Sequence, residues 1–224
     1  MPVLHRAHNL LPLLASIEDS STLPHDMLFI VSPGDVAYKQ ALVRAGVPYS
    51  VVSWQPGAAD WAKKMEHGRA ETVTPLLLLA ADDLRFHSGW DVALHNAYHQ
   101  YDVGVLGTQD MGNRLVMRGL HSTHPCVVRD YADCHGTIDD PQLMLHQGYD
   151  HQYADNELCE TAMARGCWKF VPECVLEHLH PAWGKAKGDS TYLKANRRWR
   201  QDMQLFQRRR RLWRQGRAGV RRLT

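Results

Sequence analysis

"LLLLAADDLRFHSGW", residues 76–90, is the stretch on which the fold turns. Leu76–Leu79, Ala80 and Ala81 run directly into Asp82 and Asp83, and then into Phe86, His87 and Trp90. A dense apolar run of this length, without alternation, reads as a buried strand of the parallel type, here over 75–80. Two adjacent carboxylates at its end repel each other, and their desolvation is costly unless a cation or several donors meet them. Three readings fit: a metal site, a helical turn capped by Asp83 with Asp82 in water, or a simple loop. On spacing alone the metal and the cap stand level.

The pattern repeats upstream. "MLFIVSPGD" (27–35) is a second dense apolar run, closed by Pro33 and Gly34, and "PYSVVSW" (48–54) is a further strand. Between them "DVAYKQALVRAG" (35–46) has helical spacing and stops at Gly46, and "AADWAKKMEHGRAET" (58–72) is a helix. A short strand at 3–5 and a helix from about Leu10 to Ser20 precede these, with Asn9 as cap and Pro12 tolerated in the first turn. Strands alternating with helices imply an α/β domain with a mainly parallel central sheet. Downstream, 91–101 and 154–166 read as helices, 103–108 and 126–131 as strands or strand–helix transitions, and 169–180 as extended.

The chain has 224 residues, 44% hydrophobic and 22% charged, the composition of an ordinary globular protein. No apolar run is long enough to span a bilayer, so no membrane partner is expected. The opening "MPVLHRAHNLLPLLASI" lacks a small-residue cleavage pattern and is followed by Glu18 and Asp19, which argues against a secretion signal. Five cysteines, with no C-x-x-C pair, fit buried free thiols in a reducing cytoplasm. The net charge of +2 is unevenly spread. Residues 190–224 hold eleven arginines and Lys194 against Asp202, a net of +11, which leaves −9 on residues 1–189. The expected organisation is a domain over 1–190 and an Arg-rich helical tail over 191–224.

Several pieces, taken in order, resemble the GT-A-fold glycosyltransferases of the family 2 type, and more narrowly the small ones encoded by bacteriophages. They are "HNLLPLLASI", "LFIVSPGD", "WAKKMEHG", "ADDLRFHSGWD", "HSTHPCVVRDY", "DNELCETAMARG" and "EHLHPAWGK", spread over about residues 3–192. The resemblance implies a GT-A, Rossmann-like fold and transfer of a sugar from a nucleotide-diphosphate donor, with a UDP-sugar favoured. It implies Mn²⁺ or Mg²⁺ at Asp82 and Asp83, and a late histidine, His180 before His178, as a further ligand. Two departures stand out: Ala80 replaces the first carboxylate of the usual Asp-x-Asp, and Ala154 replaces the first Glu of the usual helix start.

Inverting transfer needs the departing diphosphate neutralised and the acceptor hydroxyl deprotonated on the opposite face. The resemblance assigns the base to Asp155, with Glu157 in reserve; as plain chemistry, both acids also suit the first turn of a helix. Asp35, Lys63, Lys64, Ala81, Trp183 and Lys185 are the candidate donor contacts, with Lys187 beside Lys185 in a lid. For the lysines, a solvated surface is the plain alternative. His121, Ser122, Thr123 and His124 form a polar cluster suited to a sugar or acceptor pocket. A zinc hydrolase fails for want of an H-E-x-x-H pattern.

In the tail, Trp199, Phe206 and Trp213 fall about seven apart, one side of a helix, which suits docking on the body. The arginines, Arg208, Arg209, Arg210, Arg211 and Arg214 foremost, would then face phosphates or pair with the acidic body. The best-fitting acceptor is a hydroxymethylated pyrimidine such as 5-hydroxymethylcytosine in phage duplex DNA, its base flipped out. A virion protein as acceptor, and a non-catalytic binding module of the same fold, are the alternatives.

Overall fold

The computed structural model describes residues 1–190, 192–193 and 197–215. Its first helix, α1 (Leu10–Ser20), buries Leu10, Leu13 and Ile17 at helical spacing, each worth roughly 1.5–3 kcal/mol of burial. A 3₁₀ turn over Ala7–Asn9 leads into it. Asn9 makes no side-chain cap, because its backbone is already helical. The strand expected at 3–5 is reduced to a single parallel bridge from Pro2 to Ile30.

β1 (Phe29–Val31) is buried throughout and pairs in parallel with β2 (Tyr49–Val51) across α2 (Val36–Ala45). α3 (Asp60–Ala70) follows, then β3 (Leu76–Leu78), β4 (Leu84–Phe86) and α4 (Trp90–Gln100). β5 (Val105–Gln109), the short α5 (Arg114–Met117), β6 (Cys126–Val128) and α6 (Arg129–Cys134) come next. The chain continues through α7 (Ala154–Ala164), β7 (Trp168–His178), a 3₁₀ turn over Pro181–Trp183 and α8 (Trp199–Gln215).

The larger sheet has the order β3-β6-β5-β7-β4. It is mixed where a mainly parallel one was expected: β5 and β7 pair in parallel, whereas β6 runs against both β3 and β5, and β4 against β7. β6 is reached from β5 through a loop and the four-residue α5, and it returns beside β5 with Val105 opposite Val127 and Leu106 opposite Cys126. Two glycines let bulky rings lie on the sheet. A Cβ at Gly107 would stand 2.3 Å from the Trp168 ring, and one at Gly104 would overlap Tyr131.

α8 is packed on the body. Its buried positions Asp202, Phe206, Arg209 and Trp213 form one face, and Phe206 and Trp213 join the core built on β6 and α7. No disulfide links the cysteines; Cys126, Cys159, Cys167 and Cys174 are buried as expected, whereas Cys134 is exposed at the end of α6. Among the described residues no helix is long and apolar enough to cross a membrane.

Candidate active site

A cavity of about 600 Å³ opens where β3 ends, lined by Arg6, Asp82, Asp83, His124, Asp155 and His178 among others. Two strand pairings bring several of these side chains together. β4 runs against the last residues of β7 with Leu84 opposite His178, and Leu179 N donates to the Asp83 carbonyl (2.8 Å), so His178 lies beside Asp83. β6 runs against β3, and Leu79 N donates to the Pro125 carbonyl (3.0 Å), which sets His124 beside the end of β3.

Asp83, His124 and His178 each offer one ligand atom, all within 4.8 Å of one another. His178 Nε2 is 3.4 Å from Asp83 Oδ2. His124 Nδ1 lies 3.0 Å from the Leu79 carbonyl, which can only accept, so the ring carries its proton there. Several buried polar atoms here have no partner, His124 Nε2, Asp83 Oδ1 and Asp82 Oδ2 among them. Buried acceptors left without donors beside this ligand group suit a cation, and this fit concerns the ligand set alone. Asp82, expected as a ligand, is adjacent to this group but outside it.

Arg6 supplies positive charge to the pair. Its guanidinium lies 3.0 Å from Asp83 Oδ2, 3.6 Å from Asp82 Oδ1 and 2.9 Å from Asp189 Oδ2, and it stacks 4.0 Å from the Tyr192 ring centroid. The Tyr192 hydroxyl donates to Asp83 Oδ2 (2.8 Å). Burial and the Asp83 charge push the Asp82 carboxyl up to about 7. Burial also acts to raise Asp83, but the His178 hydrogen bond and Arg6 outweigh it and hold that carboxyl well below the usual range. Burial, aided by His178, lowers the His124 imidazole to about 4, so the ring is neutral near pH 7.

Asp155 stands in the first turn of α7, after Tyr153, whose φ of 73° is left-handed. Its Oδ2 is 3.3 Å from His121 Nε2. Burial favours the neutral carboxyl, yet the His121 contact keeps Asp155 below its ordinary value. Burial likewise opposes the charge on His121, but Asp155 lifts it to about 10. The neighbouring loop is fixed by α8: Asp202 accepts from the backbone amides of Asp150, His151 and Gln152 at 2.8, 3.0 and 2.9 Å, and all three residues line the cavity.

The other expected residues separate into those that reach the cavity and those that do not. Ala81, Thr123, His180 and Lys64 line it. Lys64, however, is buried against the Val3 carbonyl (2.9 Å) and Asp60 (2.8 Å). His180 Nδ1 accepts from Ala182 N (3.1 Å), which places the proton of the neutral ring on Nε2 and removes it as a ligand atom in that form. Glu157 is turned away from the cavity, held by Tyr149 (2.8 Å) and by two hydrogen bonds from Arg209 (2.6 and 2.7 Å). Asp35 caps α2 through Tyr38 N and accepts from His5 N. Ser122 is bonded to Thr108, Lys63 to the Ala58 carbonyl and Lys185 to Glu177, while the Trp183 ring covers Gly112. Lys187 is exposed. Arg6, Tyr192 and Asp202 were missed by sequence reasoning.

No protein-family model matches the chain, and no curated protein sequence does. Solved structures do. Glucosyl-3-phosphoglycerate synthase from Mycobacterium tuberculosis, in complex with Mn²⁺, UDP and phosphoglyceric acid, superposes with a TM-score of 0.63 at 14% identity, over 93% of this chain and 76% of that one. The fold is that of the GT-A nucleotide-sugar transferases. The same synthase with Mg²⁺ and UDP gives 0.63 at 14% identity over the same shares. A mannosyltransferase from Pyrobaculum calidifontis in complex with GDP-Man and Mn²⁺ gives 0.59 at 14% identity, over 80% of this chain and 55% of that one.

Proposed function

We propose that the chain is a metal-dependent glycosyltransferase that moves a sugar from a nucleotide-diphosphate donor to a hydroxyl acceptor with inversion. The observation that carries this reading is one cavity that holds both a buried carboxylate–imidazole cluster at the end of β3 and a separate carboxylate, Asp155, on α7. Structural neighbours that bind Mn²⁺ with UDP or GDP-Man support it. A divalent ion, Mn²⁺ or Mg²⁺, supplies charge neutralisation for the departing diphosphate. Asp83 and His178 would hold it, with Asp82 beside them but outside the ligand group.

In this reading Asp155 accepts the proton of the acceptor hydroxyl while that oxygen bonds to the anomeric carbon. The bond from that carbon to the diphosphate oxygen breaks, and its electron pair leaves with the nucleotide. His121 orients Asp155 through the 3.3 Å contact. Arg6, already against the carboxylates, adds fixed positive charge beside the leaving group.

The acceptor we favour is hydroxymethylated pyrimidine in phage duplex DNA. Arg208, Arg211 and Arg214 are exposed on α8 and support a phosphate track. Arg209 and Arg210 are engaged by Glu157 and Glu160 and take no part in it. The test is mass spectrometry of hydroxymethylated DNA incubated with the protein, Mn²⁺ and a panel of nucleotide sugars. A hexose or pentose mass added to the base supports the acceptor. Donor hydrolysis without modified DNA removes the acceptor and keeps the transferase, and neither product in any combination removes both.

A further inference from the structure

The usual carboxylate is missing at Ala80, and the structure brings an imidazole to the same corner. We infer that His124 is a protein ligand of the cation, which makes the site one of two imidazoles and one carboxylate. The inference rests on the metal reading given above and adds to it both the ligand and the kind of ion preferred.

Three observations carry it. His124 Nε2 is buried and without a partner, as is Asp83 Oδ1. His124, His178 and Asp83 present ligand atoms within 4.8 Å of one another. The far nitrogen of His124 donates to the Leu79 carbonyl (3.0 Å), the arrangement by which ligating imidazoles are oriented and held in the right tautomer. The ring is further fixed by an edge contact with His178, the centroids 4.9 Å apart.

The chemical consequence is selectivity. Mg²⁺ is a hard ion served by oxygen, and exchanging an oxygen ligand for a neutral nitrogen removes both charge and hardness from the site. Imidazole favours transition-metal dications, and a site of two histidines and one carboxylate suits Mn²⁺, Co²⁺ or Zn²⁺. The site therefore prefers these ions to Mg²⁺ through its nitrogen ligands.

The full-length protein is titrated calorimetrically with Mn²⁺, Co²⁺ and Mg²⁺, each alone and with UDP, and the Mn²⁺ complex is examined by pulsed EPR for coordinated imidazole nitrogen. Wild type should show two such nitrogens and bind Co²⁺ more than about tenfold tighter than Mg²⁺. His124→Asn keeps a donor for the Leu79 carbonyl and lacks the ligand nitrogen. It should show one nitrogen and lose about ten- to hundredfold in Co²⁺ affinity, with Mg²⁺ hardly changed. One nitrogen in the wild type overturns the inference and leaves the transferase reading standing, and this count decides even if the variant does not fold. Co²⁺ affinity unchanged in a folded His124→Asn overturns it as well. No cation bound, with or without UDP, overturns it together with the metal reading.

Discussion

Asp155 and His121 titrate as partners, and their contact makes a prediction in pH. His121 is raised from about 6.5 to about 10 in the folded chain. A group whose folded value lies above its unfolded one stabilises fully below the unfolded value, and loses that contribution as pH climbs through the folded one. Asp155 is depressed, so its share is present above about 3.8 and fades in acid. His121→Gln should therefore lower Tm most near pH 6, with the gap to wild type closing toward pH 10.5; a gap that does not change over this range would refute the pairing. Asp155→Asn should cost about 10²–10⁴-fold in turnover with donor affinity nearly unchanged, read by steady-state kinetics and calorimetry. Asp83, by contrast, was legible: adjacent acids after a run of leucines are anomalous in any sequence. Arg6 was not, because it meets Asp83 and Asp189 from 77 and 183 positions away, and no local periodicity encodes such a meeting. Glu157 shows the limit from the other side. Its place in a helix start matched the motif, but the residue that claims it, Arg209, lies 52 positions downstream.

The helices were legible wherever apolar spacing and a stop residue agreed. α2 ends at Gly46, whose φ of 67° is what that stop signal anticipates, and α4 lies within the expected 91–101 save for its first residue, Trp90. Strand direction was another matter. "CVVRDY" announces a strand passing into a helix, and β6 followed at once by α6 has that form. Nothing in its composition says that β6 runs against its neighbours; its pairing with β3 and β5, strands distant in sequence, decides that. Close packing at this level yields a test. Gly107→Ala places a methyl 2.3 Å from Trp168 and should cost about 1–3 kcal/mol, seen as a lower midpoint in urea. Asp202→Ala strips the acceptor from three amides of the 150–152 loop and should cost about 2 kcal/mol or more. Faster amide exchange confined to that loop is the expected signature.

At the scale of the molecule, an acidic body carries a basic helix, and the two are joined by specific contacts as well as by general attraction. The aromatic spacing of the tail foretold docking for Phe206 and Trp213, which are buried, while Trp199 stays 42% exposed. Removing Arg209 alone would leave Glu157 buried without its cation, at roughly 3–5 kcal/mol. Deleting the helix is therefore a poor probe of nucleic-acid binding. Replacing the exposed Arg208, Arg211 and Arg214 with Gln is a clean one. Stability should hold, and the slope of log affinity for duplex against log salt should flatten by about 2–3. An unchanged slope would take α8 out of the acceptor's path.

The loop at 150–152 waits for Asp202, which the ribosome delivers some fifty residues later. One wall of the cavity is thus finished only when α8 has emerged and docked. A chain cut after β7 and before α8 carries Asp83, His124 and His178 without the residue that fixes the facing loop. In such a chain the 150–152 amides lack their acceptor, and the wall of the cavity they form has no fixed shape until α8 docks.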